Sequence, residues 1–305
     1  MRYDIGRHCG FVLPFFLCSM LPGQPAQCTQ DTVVGAYAIA TQGTMLVPSP
    51  AGGQPSALPA ASLAILSIDS QGQMSGLGFG ALGGTVSPIS GAGSIQVNPD
   101  CTAIVKTAMG TTSYDVILGE GEEIRGLMFQ GPGVIPLIQG IGRRISRIPA
   151  TVAATQCSAA DVHGTYAFTH QGTYIIPQSG TPQSVSQTAL MIGLASIDYE
   201  GRLSGSGKSS IGNNSMDFTI ARGQLIVNPD CSARVRMSIQ SEPLTDEGES
   251  WIAVLEGGSE LWAIQTSSSL AKPVVTGSWK RLSPIPSVKT SSAEVELPRP
   301  IGGRR

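Results

Sequence analysis

The chain is 305 residues long, with a formal net charge of -2 and only 13% charged residues. That length suits about two domains, and the lack of clustered Lys and Arg excludes a nucleic-acid partner, because phosphate binding needs concentrated cations. Low charge combined with abundant Gly, Ser, Thr and Pro is the composition of a turn-rich all-β protein.

Residues 1–26 read as an export signal. Arg2 and Arg7 precede an apolar run over residues 9–21, too short to span a bilayer comfortably, and cleavage is expected near Ala26. The alternative is a lipoprotein signal ending at Cys28, although Pro25-Ala26-Gln27 lacks the usual Leu and small residues ahead of such a cysteine. No later run is long enough for a membrane helix, so no transmembrane segment is expected in the mature chain, which should be secreted or periplasmic.

From Cys28 the sequence says the same thing twice. Gly35-Ala36-Tyr37 returns as Gly164-Thr165-Tyr166, and Asp69-Ser70-Gln71-Gly72 as Asp198-Tyr199-Glu200-Gly201, each pair 129 residues apart. Asn98-Pro99-Asp100-Cys101 returns as Asn228-Pro229-Asp230-Cys231 one residue later in phase. A repeat unit this long buries its own core, so it predicts two tandem domains, 28–148 and 157–284, joined by a linker at 149–156 and followed by a disordered Pro- and Ser-containing tail at 285–305. The four cysteines left after signal removal allow three pairings. The simplest joins Cys28 to Cys101 and Cys157 to Cys231 within each unit, which implies an oxidising compartment.

Short strands separated by turn signals fill each unit. In the first they are expected at residues 35–47, 62–69, 73–82, 94–97, 103–109, 114–118, 124–130 and 137–145. The Asp-x-x-Gly and Asn-Pro-Asp segments have turn chemistry, and a further hairpin falls at Gly119-Glu120-Gly121 and Glu256-Gly257-Gly258. Residues 242–250 read as an acidic loop added in the second unit. With no helical period anywhere, the fold class expected is all-β: two tandem antiparallel up-and-down β-barrels of about eight strands each. Lys106 and Arg236 should face water and send Val105 and Val235 inward. In the first strand Tyr37 and Ile39 share one face, and Ala36, Ala38 and Ala40 the other. The aromatic face is the better candidate core, and the sequence alone does not decide.

Chemistry-bearing motifs are scarce. Ser204-Gly205-Ser206-Gly207-Lys208-Ser209 misses the phosphate-loop spacing by one residue and has no following helix. His163 and His170 do not recur between units and accompany no nucleophile elbow, so no catalytic residue, metal site or cofactor is assigned. The most suggestive polar pair is Glu123 with Arg144, recurring as Glu260 with Arg281. It reads either as a rim salt bridge or as a polar anchor at a barrel mouth. Tyr37, Tyr166 and Phe168 complete the candidate ligand-binding set.

The landmark order Gly-x-Tyr, Asp-x-x-Gly then Ser-Gly, Asn-Pro-Asp-Cys and Gly-x-x-[Lys or Arg]-Arg resembles small exported bacterial lipocalin-like β-barrel domains. Gly35-Ala36-Tyr37 and Gly164-Thr165-Tyr166 stand where lipocalins open with Gly-x-Trp. The resemblance implies a calycin-type or allene-oxide-cyclase-type barrel without implying a reaction. The leading expectation is a non-enzymatic exported protein holding a small apolar ligand. The alternatives are a structural or adhesive envelope protein, and a cyclase or isomerase using Glu123 or Glu260 in a closed pocket.

Overall fold

The computed structural model describes residues 27–49, 52–148, 157–178, 180 and 183–282. The expected leader, linker and tail all lie outside the described residues. The chain forms two closed antiparallel barrels of eight strands. The first runs β1 Gly35–Val47, β2 Ser56–Ile68, β3 Gln73–Leu82, β4 Thr85–Val97, β5 Thr102–Thr107, β6 Thr112–Leu118, β7 Glu123–Gln130 and β8 Ile135–Ser146. The second runs β9 Gly164–Pro177, β10 Ser184–Ile197, β11 Arg202–Ile211, β12 Asn214–Val227, β13 Ser232–Ser241, β14 Leu244–Leu255, β15 Glu260–Ser268 and β16 Lys272–Arg281. Each strand pairs with its sequence neighbours, and β8 closes on β1 as β16 closes on β9.

The repeated turn residues make this meander. Asp69 Oδ1 accepts the backbone N–H groups of Gln71 and Gln73 at 2.9 and 2.8 Å, and Gly72 supplies the positive φ of 75° that the bend requires. Asp198 does the same for Glu200 and Arg202. A 3₁₀ turn precedes each barrel, Gln30–Val33 and Ala159–Val162, and seats a fully buried valine, Val33 or Val162, against the core. The disulfides Cys28–Cys101 and Cys157–Cys231 pin these plugs to the β4–β5 and β12–β13 turns. In the chain-entropy account, bridges spanning 73 and 74 residues each stabilise by roughly 4 kcal/mol.

Three segments depart from expectation. Strand β2 begins at Ser56, against an expected start at residue 62, and pairs with β1 from there. Strand β4 extends back from the expected 94–97 to Thr85, through a Gly-, Ser- and Pro-rich stretch outside the expected strands. It pairs with β3 from Thr85 to Ser94, and with β5 only from Gly93 to Val97. Pro88 therefore sits where no β5 partner needs its missing N–H. The supposed acidic loop is the start of β14. Thr245, Asp246 and Glu247 pair with Gln240, Ile239 and Ser238, and the connection shrinks to Glu242-Pro243.

The aromatic face of the first strand is the barrel lining. Tyr37 packs with Ile68, Met74, Ile95, Ala103, Ile117 and Ile124 in barrel 1, and Val235 is buried in barrel 2 while Arg236 is exposed. The alanine face has its own use. Ala38, with Ala61, Leu63 and Ala81, packs against Trp251, Leu255, Trp262, Ile264 and Val274 of the other barrel. The outer wall around β1–β3 of barrel 1 thus forms a second apolar core with the outer wall of β14–β16.

Candidate functional site

The expected pairing of Glu123 with Arg144 and of Glu260 with Arg281 is not made. Glu123 lies directly opposite Arg143, not Arg144, and the one-residue step sends the neighbouring arginine through to the other face. Glu123 stays on the outer wall, 2.6 Å from Arg125 Nε and 3.3 Å from Arg143 Nε. Glu260 lies at the seam between the barrels, where it accepts the Trp262 indole N–H at 2.9 Å and stands 3.9 Å from Arg143 Nη1.

The arginines point inward and meet the tyrosines. Arg144 Nε donates to the Tyr37 hydroxyl at 3.0 Å, and that hydroxyl donates to Gly121 O at 2.8 Å. The same guanidinium reaches Glu120 O, Glu122 Oε1 and Thr32 O, and stacks with its Cζ 5.4 Å from the Tyr37 ring centroid. Barrel 2 repeats this latch. Arg281 Nη2 donates to the Tyr166 hydroxyl at 2.9 Å and also to Asp161 O, while Tyr166 donates to Gly258 O at 2.6 Å. Burial lifts both phenols above their ordinary pKa, and the guanidinium beside each holds back part of the rise. Each latch ties the last strand, the first strand, the 3₁₀ plug and the turn before the seventh strand, which closes one end of the barrel.

The interior of barrel 2 is filled. In barrel 2 Phe168 stacks on Trp279 with centroids 5.0 Å apart, and Trp279 Nε1 donates to His170 Nε2 at 2.8 Å. Burial lowers the His170 pKa to about 4, so the ring is neutral. The cavity these residues share with Met191, Phe218 and Gln265 is about 20 Å³, room for a single water. Even the glycine notches are occupied: a Cβ on Gly277 would lie 2.0 Å from the His170 ring, and one on Gly91 2.1 Å from Leu66 Cδ2. A wider cleft of about 760 Å³ opens outside barrel 1 at its latched end, between Cys28, Thr32, Ser70, Glu120 and Arg147. Its guanidiniums, Arg144 and Arg147, already share Glu122 at 3.1 and 2.8 Å.

One interior group was not anticipated. Asp115 points into barrel 1, is 8% exposed, and its Oδ1 has no hydrogen-bond partner among the described residues. Burial raises its pKa to about 6, held back by the Ser113 hydroxyl. Alternation signals it: Tyr114, Val116 and Leu118 share the face opposite to Asp115 and Ile117. Among the described residues no group of three or more His, Cys, Asp or Glu side chains could hold a metal ion, and no helix is long and apolar enough to cross a membrane.

No family model matches the chain, and no curated protein matches it. Solved structures align with it distantly. A protein of unknown function from the DUF3598 family of Nostoc punctiforme is 9% identical, covering 84% of this chain and 100% of that one at a TM-score of 0.24. The haemoglobin receptor HpuA of Kingella denitrificans is 12% identical over 91% of this chain and 96% of that one, TM-score 0.31. Transferrin Binding Protein B of Haemophilus parasuis is 8% identical over 74% of this chain and 62% of that one, TM-score 0.30. Likeness at this level transfers no ligand, partner or activity.

Proposed function

We propose that this chain is an exported, non-enzymatic envelope protein in which two β-barrels, the second of them solid, form a rigid scaffold. Residues 1–26 act as a removed export signal, 28–148 and 157–284 as the two domains. The observation that carries this reading is the filled interior: side chains occupy the lumen of barrel 2 down to about 20 Å³, far below the several hundred that a small-molecule pocket needs. The two disulfides support an oxidising compartment. Because the Cys28 thiol is bonded to Cys101, lipidation at Cys28 is disfavoured. The lipocalin-like kinship belongs to the same reading and is supported by the Tyr37 and Tyr166 latches at the Gly-x-Tyr openings. Glu123 and Glu260 stand on outer walls, so a barrel-mouth cyclase lacks its carboxylate. Native mass spectrometry and solvent extraction of the exported full-length protein should give the bare mature mass and no extractable lipid. An apolar molecule recovered at one per chain overturns the scaffold reading.

A second reading, small-molecule binding in barrel 1, is favoured by the unpartnered Asp115 oxygen. It requires a ligand with an N–H or O–H donor, retained by the wild type and lost in Asp115→Leu.

A further inference from the structure

The joint between the barrels uses two different surfaces, and the repeat supplies a second copy of each. On barrel 2 the docking face is the outer wall of β14–β16, where Trp251 and Trp262 are 9% and 6% exposed and Leu255 and Ile264 are fully buried. That this wall faces outward is clear from Trp251, which pairs with the exposed Arg234. On barrel 1 the receiving face centres on Ala61, Leu63 and Ile65 of β2.

Counting from the Gly119 and Glu256 turns, Tyr114, Val116 and Leu118 occupy the places of Trp251, Ala253 and Leu255, while Leu127 and Leu137 occupy those of Ile264 and Val274. These barrel 1 residues are 46%, 39%, 40%, 56% and 59% exposed. The places of Ala61, Leu63 and Ile65 are taken in barrel 2 by Leu190, Ile192 and Leu194, which are 49%, 55% and 51% exposed. So each barrel leaves bare the face that its twin has covered. A solvated antiparallel wall carries polar residues outward, and barrel 2 does so on β12–β14, with Arg222–Glu247 and Arg236–Glu249 pairs, whereas on the receiving wall Lys208 alone stands directly opposite Ile192, in the place of Phe79. Contiguous exposed apolar faces mark interaction surfaces.

We propose that the occupant is a second copy of this chain, joined head to tail: β6–β8 of one copy docks on the β10 wall of the next and repeats the internal joint. Charge complementarity follows the same equivalence. Inside the chain Arg143 of the receiving wall faces Glu260 of the docking wall at 3.9 Å. Between copies the equivalent residues are Lys280, exposed on the receiving wall, and Glu123 on the docking wall. The two surfaces differ, so the contact is heterologous and builds chains or rings of copies, not a closed twofold dimer. It is weaker than the internal joint, because Arg125 stands in the place of Trp262. The inference rests on the outer walls and is independent of what the interiors hold.

The test uses the full mature chain and two surface variants, Leu127→Glu on the docking wall and Ile192→Glu on the receiving wall. Sedimentation velocity of the wild type should show concentration-dependent dimers and higher species, and each variant should weaken self-association by more than about tenfold. Far-UV circular dichroism checks that both variants remain folded, as exposed substitutions should. An equimolar mixture of the variants should form a 1:1 dimer and nothing larger, because it holds one intact face of each kind. A wild type that stays monomeric to about 100 μM, where even a weak specific contact would register, overturns the proposal. So do folded variants that assemble like the wild type, or mixed variants that fail to pair.

Discussion

Replacing Asp115 with asparagine should stabilise the protein at neutral pH. Burial pushes the carboxyl pKa up from its ordinary 3.8 to about 6. A raised carboxyl favours the folded state when protonated, so its contribution is fully present below pH 3.8 and is lost as pH rises through about 6. A rise from 3.8 to about 6 corresponds to about 3 kcal/mol, reduced in practice by relaxation around the carboxyl, so about 1–3 kcal/mol should be recovered at pH 7.5 by Asp115→Asn. His170 acts in the opposite sense. Its pKa falls from 6.5 to about 4, so the stability it contributes is complete above pH 6.5 and is lost as pH falls through about 4. Between pH 4 and 6 the two slopes oppose each other in the wild type. Asp115→Asn removes one and should expose the acid-labile slope of His170 alone. Urea titrations at pH 4.5, 6 and 7.5 followed by far-UV circular dichroism measure this. Tryptophan emission isolates barrel 2, since the three tryptophans, Trp251, Trp262 and Trp279, all lie there. A variant less stable than the wild type at pH 7.5, by the same amount as at pH 4.5, refutes the reasoning, because the carboxylate would then have a partner.

Tyr37→Phe removes the hydroxyl that bridges Arg144 and Gly121 O. It should lower the urea-derived stability by about 1–3 kcal/mol, the cost of stranding a buried charged donor. Converting both Cys28 and Cys101 to serine should destabilise by about 2–5 kcal/mol, read as a lower melting temperature by calorimetry. Trp262→Ala opens the seam and should cost about 3–5 kcal/mol. It should also split a single calorimetric transition into two as the barrels uncouple.

Strand number and turns were legible because they rest on local chemistry: Asp at the start of a hairpin, Gly where φ is positive, and cysteines that come two to a unit. The latch was half legible. Tyr37, Arg144, Tyr166 and Arg281 were all singled out, but with carboxylates as the supposed partners of the arginines. The sequence places Arg143 and Arg144 side by side, and only the register tells which faces Glu123; a slip of one residue reverses the answer. The first part of strand β4, ahead of the expected 94–97, is not legible because glycine, serine and proline normally mark turns. A strand that is half unpaired on one side tolerates them.

The seam is the feature that single-domain reasoning could not supply. An outward alanine in β1 looks like an unremarkable solvent position until another barrel stands against it. A signal was nevertheless present. Residues 251–255 and 261–264 are uninterrupted apolar runs, which mark strands buried on both faces. Their counterparts at 114–118 and 124–127 are interrupted by Asp115, Arg125 and Gly126. The two units therefore share the latch that closes a barrel but differ in how much outer wall they can bury without help. Loss of one tryptophan position to Arg125 makes the exposed copy of the docking wall compatible with water for part of the time. That places it between a core and a surface, which a reversible contact between copies requires.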